Sequence, residues 1–374
     1  MNWSALAQFD GIVAPPGLFP ARDLPPLSRW RTDDPALRDR YDTDTLIYGA
    51  VWSAQTKRLR VYAPRPLNLL PLLRGARWLA DGVALGKPKL RRFKRYATLE
   101  FDAPKPVAQL GFERDGWQAT CPVQQADPDP FMGCNVLYTM SQNNDLDWVC
   151  DWVMYHHRAH GADAVLISDN RSTAYTPEDL RVRLVGLGVL KAVLVQSVPY
   201  RHGPSSQICT RASDARYLQS ATANFMRDVW LRRARAVLSC DIDEIVASQS
   251  GRSIFDAVCA SRLGVVTFPG YWRFCDPAQD SPTHSDHVFT RPDRLKPCPR
   301  KYAWRPDGWL GDWSLMIHSL ESVPRRWASG APDFWFLHCD GITTRWKAGR
   351  EKADIALKQT YDENAKQALA RGGL

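Results

Sequence analysis

The chain has 374 residues, 44% hydrophobic and 24% charged, enough apolar material for one large or two ordinary cores, so wholesale disorder is excluded. Its 49 basic and 40 acidic residues leave a net charge of +9, which suits anionic partners without choosing among nucleotide phosphates, nucleic acid and acidic membrane surfaces. No run approaches the ~20 apolar residues of a membrane-spanning helix. The opening MNWSALAQFD does not read as a secretory leader. Nine scattered cysteines without a C-x-x-C pair argue against a disulfide framework and a cysteine zinc site, and the cytoplasm is the expected location.

In chain order, residues 1–45 are rich in Pro, Asp and Arg and read as an irregular lead-in. Residues 46–130 carry short alternating or β-branched runs (46–51, 58–62, 96–101, 107–112) between turn signals such as Pro64-Arg65-Pro66, Asp81-Gly82 and Asp115-Gly116. They predict a small β-rich module. Within it, residues 87–95 (KPKLRRFKR) hold six cations in nine positions. Only Phe93 is interleaved, too thin a stacking platform for nucleic acid, so no nucleic-acid partner is expected. A solvated face is the first reading of this run; peripheral contact with an anionic membrane is the second. Residues 124–133 read as a linker, and a third unit spans 131–374.

From there the rhythm is strand, helix, strand. Strands are predicted over 135–140, 164–168, 189–195 and 236–240. Leu146, Val149, Cys150, Val153, Met154 and His157 fall on one helical stripe, closed by Gly161. Thr176-Pro177-Glu178-Asp179 has the marks of a helix start, with an N-cap hydroxyl, Pro in the first turn and early carboxylates. An Arg-rich segment, 211–235, also reads as helical. Strands that are apolar throughout, alternating with helices, predict an α/β fold with a mostly parallel sheet covered on both faces.

Asp241-Ile242-Asp243 follows the last of these strands directly. Open α/β sheets place ligands at the carboxyl ends of their strands. Carboxylates at i and i+2 there can converge on a divalent cation that keeps positions free for phosphate oxygens. Glu244 adds a third carboxylate and is counted with the catalytic candidates. His338 ends the aromatic run 334–338, and a neutral imidazole suits Mn2+ beside carboxylates. Fifteen tryptophans supply platforms for flat-faced ligands. Asp312, inside Trp309-Leu310-Gly311-Asp312-Trp313, is the candidate base that removes an acceptor proton, with Asp276 and Glu321 as alternatives. His156, His157 and His160 read as structural. The arginines at 227, 232, 233 and 235 read as a solvated helix face, or as diphosphate ligands.

Asn144-Asp145 with Asp151-Trp152, then Tyr155-His156, Gly161, Asp169-Asn170-Arg171-Ser172 and Asp241-Ile242-Asp243-Glu244, occur in an order and spacing that resemble glycosyltransferase family 92 and related family 2-like proteins. Lys301, His318, His338 and Lys347 fall where that family tends to carry Lys and His. The resemblance covers about residues 134–355 and departs from the pattern at Asp145 and Asp151, where the family usually has Glu. It implies a GT-A (Rossmann-like) nucleotide-sugar-binding core. Asn143, Asn144, Asp145, Asp169, Asn170, Asp241 and Lys301 would contact the donor, and Asp241, Asp243 and His338 would hold Mn2+ or Mg2+. The implied activity moves a sugar, with inversion, from a nucleotide-sugar (a UDP-sugar first) to a glycan or lipid-linked acceptor, as in bacterial surface polysaccharide or glycoconjugate assembly. The alternatives are a non-catalytic carbohydrate- or RNA-binding protein and a sugar-phosphate nucleotidyltransferase. The last normally opens with a Gly-rich phosphate loop, and none is found here.

Overall fold

The computed structural model describes residues 3–23, 40–203, 216–324, 333–342, 344 and 358–374. A nine-stranded sheet runs through the middle of the molecule. Its strands, numbered here in chain order, are β1 Trp3–Gln8, β2 Asn135–Ser141, β3 Ala164–Asp169, β4 Ala192–Ser197 and β5 Ala236–Ser239. β6 Glu244–Ser248, β7 Val265–Arg273, β8 Cys298–Trp304 and β9 Phe334–Cys339 complete it. The spatial order is β1-β4-β3-β2-β5-β8-β7-β9-β6. The first five are mutually parallel, and β7 and β9 are parallel to each other. β8 and β6 run against their neighbours. The expectation of a mixed α/β chain with a large, mostly parallel sheet and a β-rich N-terminal region therefore agrees with the structure.

Among the described residues, five helices flank this sheet: α1 Leu146–His160, α2 Pro177–Val185, α3 Tyr217–Met226, α4 Ile254–Ala260 and α5 Glu363–Arg371. Alternate residues of each strand feed two cores. Leu137, Val165, Ile167 and Val193 pack with the α1 and α2 side, while Val136, Leu166, Leu194 and Val237 pack with α3. That alternation at period 2, with both faces covered, is why β3 is buried at every position. α1 starts where the Asp145 carboxylate accepts from the Asp147 N–H and ends at Gly161 with φ 74°, a left-handed turn that suits glycine. Its buried face is wider than the expected stripe, taking in Trp152, Tyr155, His156 and His160, with Met154 and His157 at its edge. The predicted start of α2 is present as a capping box between Thr176 and Asp179.

The structure differs from the sequence expectations in four places. Residues 3–8, expected to be irregular, form β1 at the edge of the main sheet, paired in parallel with β4. Their half-exposed pattern gives no local signal of that distant partner. The strand expected over 189–195 begins at Ala192. The expected linker is a packed connection: Phe131 is fully buried, and the Asp127 N–H donates to the Val229 carbonyl. The helix expected over 211–235 is described from Tyr217, passes into π-helical turns over Arg227–Leu231 and stops there; residues 211–215 lie outside the described residues.

The N-terminal region forms an eight-stranded sheet around its own core of Leu59, Val61, Leu99, Leu110 and Phe112. Strands Val83–Ala84 and Lys89–Arg92 are its opposite edges, yet only residues 85–88 join them. Five Cα steps reach at most ~19 Å, whereas eight flat strands would separate the edges by ~34 Å. The sheet is therefore strongly curled. It is held to the main core by the buried Asp228 carboxylate, which takes up Arg60 and Tyr62 from the small module and Arg227 and Arg232 from its own helical segment. No helix among the described residues is long and apolar enough to cross a membrane.

Candidate functional site

Strand order decides where a ligand fits. The chain lays β3 and β4 on one side of β2, then returns to place β5 on the other side. Connections diverge at that reversal, leaving a crevice beyond the carboxyl ends of β2 and β5. A narrow cleft of about 20 Å3, room for a water-sized group, occupies this position, with Tyr138, Thr139, Cys240, Asp241, Lys301 and Met316 among its lining residues. Gln219 and Ala223 of α3 close it from one face. Thr139 Oγ1 and Gln219 Oε1 are buried in it without a hydrogen-bond partner among the described residues. The cost of leaving buried polar atoms unmade is relieved when a water or a ligand group supplies the missing partner.

β5 ends in a tight turn built by its own carboxylates. The Glu244 N–H donates to the Asp241 carbonyl at 3.0 Å, and the Asp241 N–H donates to Glu244 Oε2 at 2.8 Å. Ile242 between them packs into the core, and its carbonyl accepts from His284 Nε2 at 2.8 Å. Lys301 on β8 is 2% exposed, and its ammonium lies 3.2 Å from Asp241 Oδ2 and 2.9 Å from Glu244 Oε2. Burial disfavours the Lys301 ammonium, but Asp241 and Glu244 outweigh it and hold the group charged. Burial raises the Glu244 carboxyl above its ordinary value, against the pull of Lys301.

His338 on β9 faces Glu244 across the strand pair and lies flat against Trp272 of β7, with centroids 3.9 Å apart and planes 16° from parallel. Its Nε2 is 3.1 Å from Asp243 Oδ2. Asp243, Glu244 and His338 each offer one ligand atom, all within 4.8 Å of one another. One imidazole and two carboxylates suit Mn2+ or Mg2+ in donor type. Three carboxylates (Asp241, Asp243, Glu244), one ammonium (Lys301) and one imidazole (His338) are gathered here, a carboxylate-rich set of the kind that divalent cations take up.

This geometry reassigns several expected roles. Of the three expected metal ligands, Asp243 and His338 come together with Glu244 in the third place; Asp241 lies outside that group, and Lys301 pairs with both Asp241 and Glu244. Lys301 meets carboxylates, and its ammonium lines the cleft as part of their ion pair. Asp312 is not brought to the site. It is exposed, bonds Arg232, and lies in the turn after β8, whose end pairs with the start of β5, so it sits at the amino edge of the sheet. Glu321 accepts from the Lys94 N–H, and Asp276 accepts from the Ala278 N–H.

The asparagine cluster is largely committed to holding loops. Asn143, at φ 54°, accepts from the Thr173 and Ala174 N–H groups. Asn144 donates to Ser141 Oγ, and Asn170 donates to the Val198 and Tyr200 carbonyls. Asp145 caps α1. Asp169 is 2% exposed and bonded by Ser172; burial raises its carboxyl against those bonds. These residues shape the rim at the ends of β2 and β3, and their side chains are spent on doing so.

His156 and His160 are buried and bonded to backbone groups, as expected for structural histidines. Arg227, Arg232, Arg233 and Arg235 pair with Asp228, Asp312, Asp129 and Asp256, away from any diphosphate position at the carboxyl edge. Lys347 lies outside the described residues. Sequence reasoning missed Tyr138, Thr139 and Gln219. An apolar-looking strand and an ordinary helix carry no motif, and only the strand order turns these residues toward one cleft. No family model matches the chain, and no curated protein is similar to it in sequence.

Proposed function

We propose that this chain is a metal-dependent glycosyltransferase that binds a nucleotide-sugar at the carboxyl edge of the large sheet and passes the sugar to a hydroxyl of a glycan or lipid-linked acceptor. One observation carries the reading: the cleft at the β2/β5 reversal adjoins a carboxylate–imidazole group, Asp243, Glu244 and His338, whose ligand atoms lie within 4.8 Å of one another. Nucleotides bind at such reversals in open α/β sheets. Asp243, Glu244 and His338 form a donor set that would hold a divalent cation, which would supply positive charge beside a diphosphate.

In this reading Asp243 and His338 anchor the cation, and Glu244 is the third ligand. Once bound, the cation supplies charge compensation for the departing nucleoside diphosphate. Lys301 holds Asp241 and Glu244 at fixed positions, so the turn is organised before the donor arrives. Trp272 fixes the plane of the His338 ring. Thr139 and Gln219 offer hydrogen bonds to polar groups of the donor inside the cleft.

The test is a thermal-shift panel of UDP-, GDP-, CMP- and dTDP-sugars with and without Mn2+, on the wild type and Asp243→Ala. One donor is expected to stabilise the wild type only when metal is present, by about 2.7 kcal/mol at a hundredfold excess over Kd, and to leave the variant unmoved. If no nucleotide-sugar stabilises the wild type under any condition, the proposal fails.

A further inference from the structure

The cationic run 87–95 takes no part in the cleft. Lys89–Arg92 is a free edge strand of the N-terminal sheet, and Lys87, Lys89, Arg91, Arg92 and Lys94 are all exposed. Charges on an edge strand guard against pairing with another sheet, which accounts for the strand alone. It does not account for what lies beside the strand. A hollow of about 350 Å3 is lined by Arg65, Pro66, Leu67, Leu70, Arg92 and Phe93. Its two guanidiniums, one from the loop at Arg65 and one from the edge strand at Arg92, are exposed and have no ion-pair partner among the described residues. Its floor is apolar: Leu67 and Leu70 are half-exposed, and Leu67 sits at φ 50°, a conformation bulky residues avoid.

We propose that this face docks on the surface of an anionic lipid bilayer. The hollow takes a lipid phosphate between Arg65 and Arg92. Leu67 and Leu70 meet the boundary of the acyl chains, as the apolar face of an interfacial helix does. The remaining cations of the edge strand lie over neighbouring anionic head groups, each strengthening binding about fivefold. The inference stands apart from the transferase reading, although the two surfaces are connected. The Lys94 N–H donates to Glu321 at 2.8 Å, and Phe93 packs in the same cluster as Leu315 and Leu320, which bracket the cleft residues Met316 and Ile317. A membrane-borne ligand held here would lie beside the segment that lines the cleft.

The experiment is co-sedimentation of the full chain with phosphatidylcholine vesicles, with and without phosphatidylglycerol, across a salt series. Binding is expected only with the anionic lipid, and is expected to fall as salt rises. Arg65→Glu/Arg92→Glu should weaken it at least about twenty-five-fold, while Arg262→Glu, an exposed change in the loop after α4, should have little effect. Leu70→Ser should weaken binding without changing the salt dependence. Melting curves of the variants establish that each is folded. Equal binding to both vesicle types, or a double variant that binds like Arg262→Glu, would overturn the proposal. So would complete displacement by free inorganic phosphate matched to the lipid phosphate, or tighter binding to single-stranded RNA than to vesicles.

Discussion

Replacing Lys301 with methionine is the sharpest probe of the carboxylate group. Methionine is close in volume and keeps the packing of β8, so the change removes charge from a position that is 2% exposed. Two carboxylates lose their partner, and one of them, Glu244, is itself 2% exposed. Breaking a buried ion pair by deleting one member costs about 3–5 kcal/mol, because the charge left behind is not solvated. With an unfolding entropy of about 2.1 cal/mol/K per residue, a chain of 374 residues that melts in one transition should lose about 4–6 °C of Tm. The pH dependence has a definite sign. Burial already raises the folded-state value of Glu244, and losing Lys301 raises it further. A carboxylate raised in the folded state favours folding while protonated. The deficit should therefore be smallest below the ordinary carboxylate value of about 4.3 and grow as pH rises through the folded-state value. Melting curves with a chelator present, at acidic and neutral pH, measure it. Lys301→Met/Glu244→Gln should recover part of the loss by removing the stranded charge, and Mn2+ should stabilise the single variant more than the wild type. A single variant that melts within about 1 °C of the wild type at neutral pH, or that loses as much at acidic pH, refutes the reasoning.

Asp312→Asn should leave metal-dependent donor binding unchanged, because Asp312 pairs with Arg232 at the amino edge of the sheet; a thermal-shift titration checks this, and a tenfold weaker donor would return Asp312 to the site. Asp228→Asn should cost about 3–5 kcal/mol, since it removes the carboxylate shared by Arg60, Arg227 and Arg232 and takes from the buried Arg227 its ion-pair partner, and limited proteolysis over residues 126–133 should speed up. Although burial opposes ionisation, those guanidiniums hold the Asp228 carboxyl well below its usual range. Its contribution is therefore present above the ordinary carboxylate value and is lost as pH falls, so the wild type should approach the variant in strong acid. Thr176→Ala removes the hydroxyl of the α2 capping box and should cost about 1 kcal/mol, seen as a small drop in Tm with donor binding intact.

Features written within a few residues of one another were legible in the sequence. The end of α1 follows from glycine at a left-handed turn, the start of α2 from its capping chemistry, and β3 from an unbroken apolar run. Asp241 and Asp243 lie just past a buried strand, so their place at a sheet edge follows from strand length alone. Which groups meet them is a matter of strand order. Lys301 reaches Asp241 because β8 runs antiparallel beside β5, and His338 reaches Asp243 because β9 pairs with β6 some 90 residues later. Residues 3–8 join the main sheet through a parallel partner nearly 190 residues away, for which period and propensity give no local sign. Asp312 shows the converse: a motif-like neighbourhood suggested an active-site carboxylate, and the antiparallel return of β8 carries it to the opposite edge. Local hydrogen bonding and periodicity act over a turn or a strand, whereas a site is made by contacts whose loops must close across the fold.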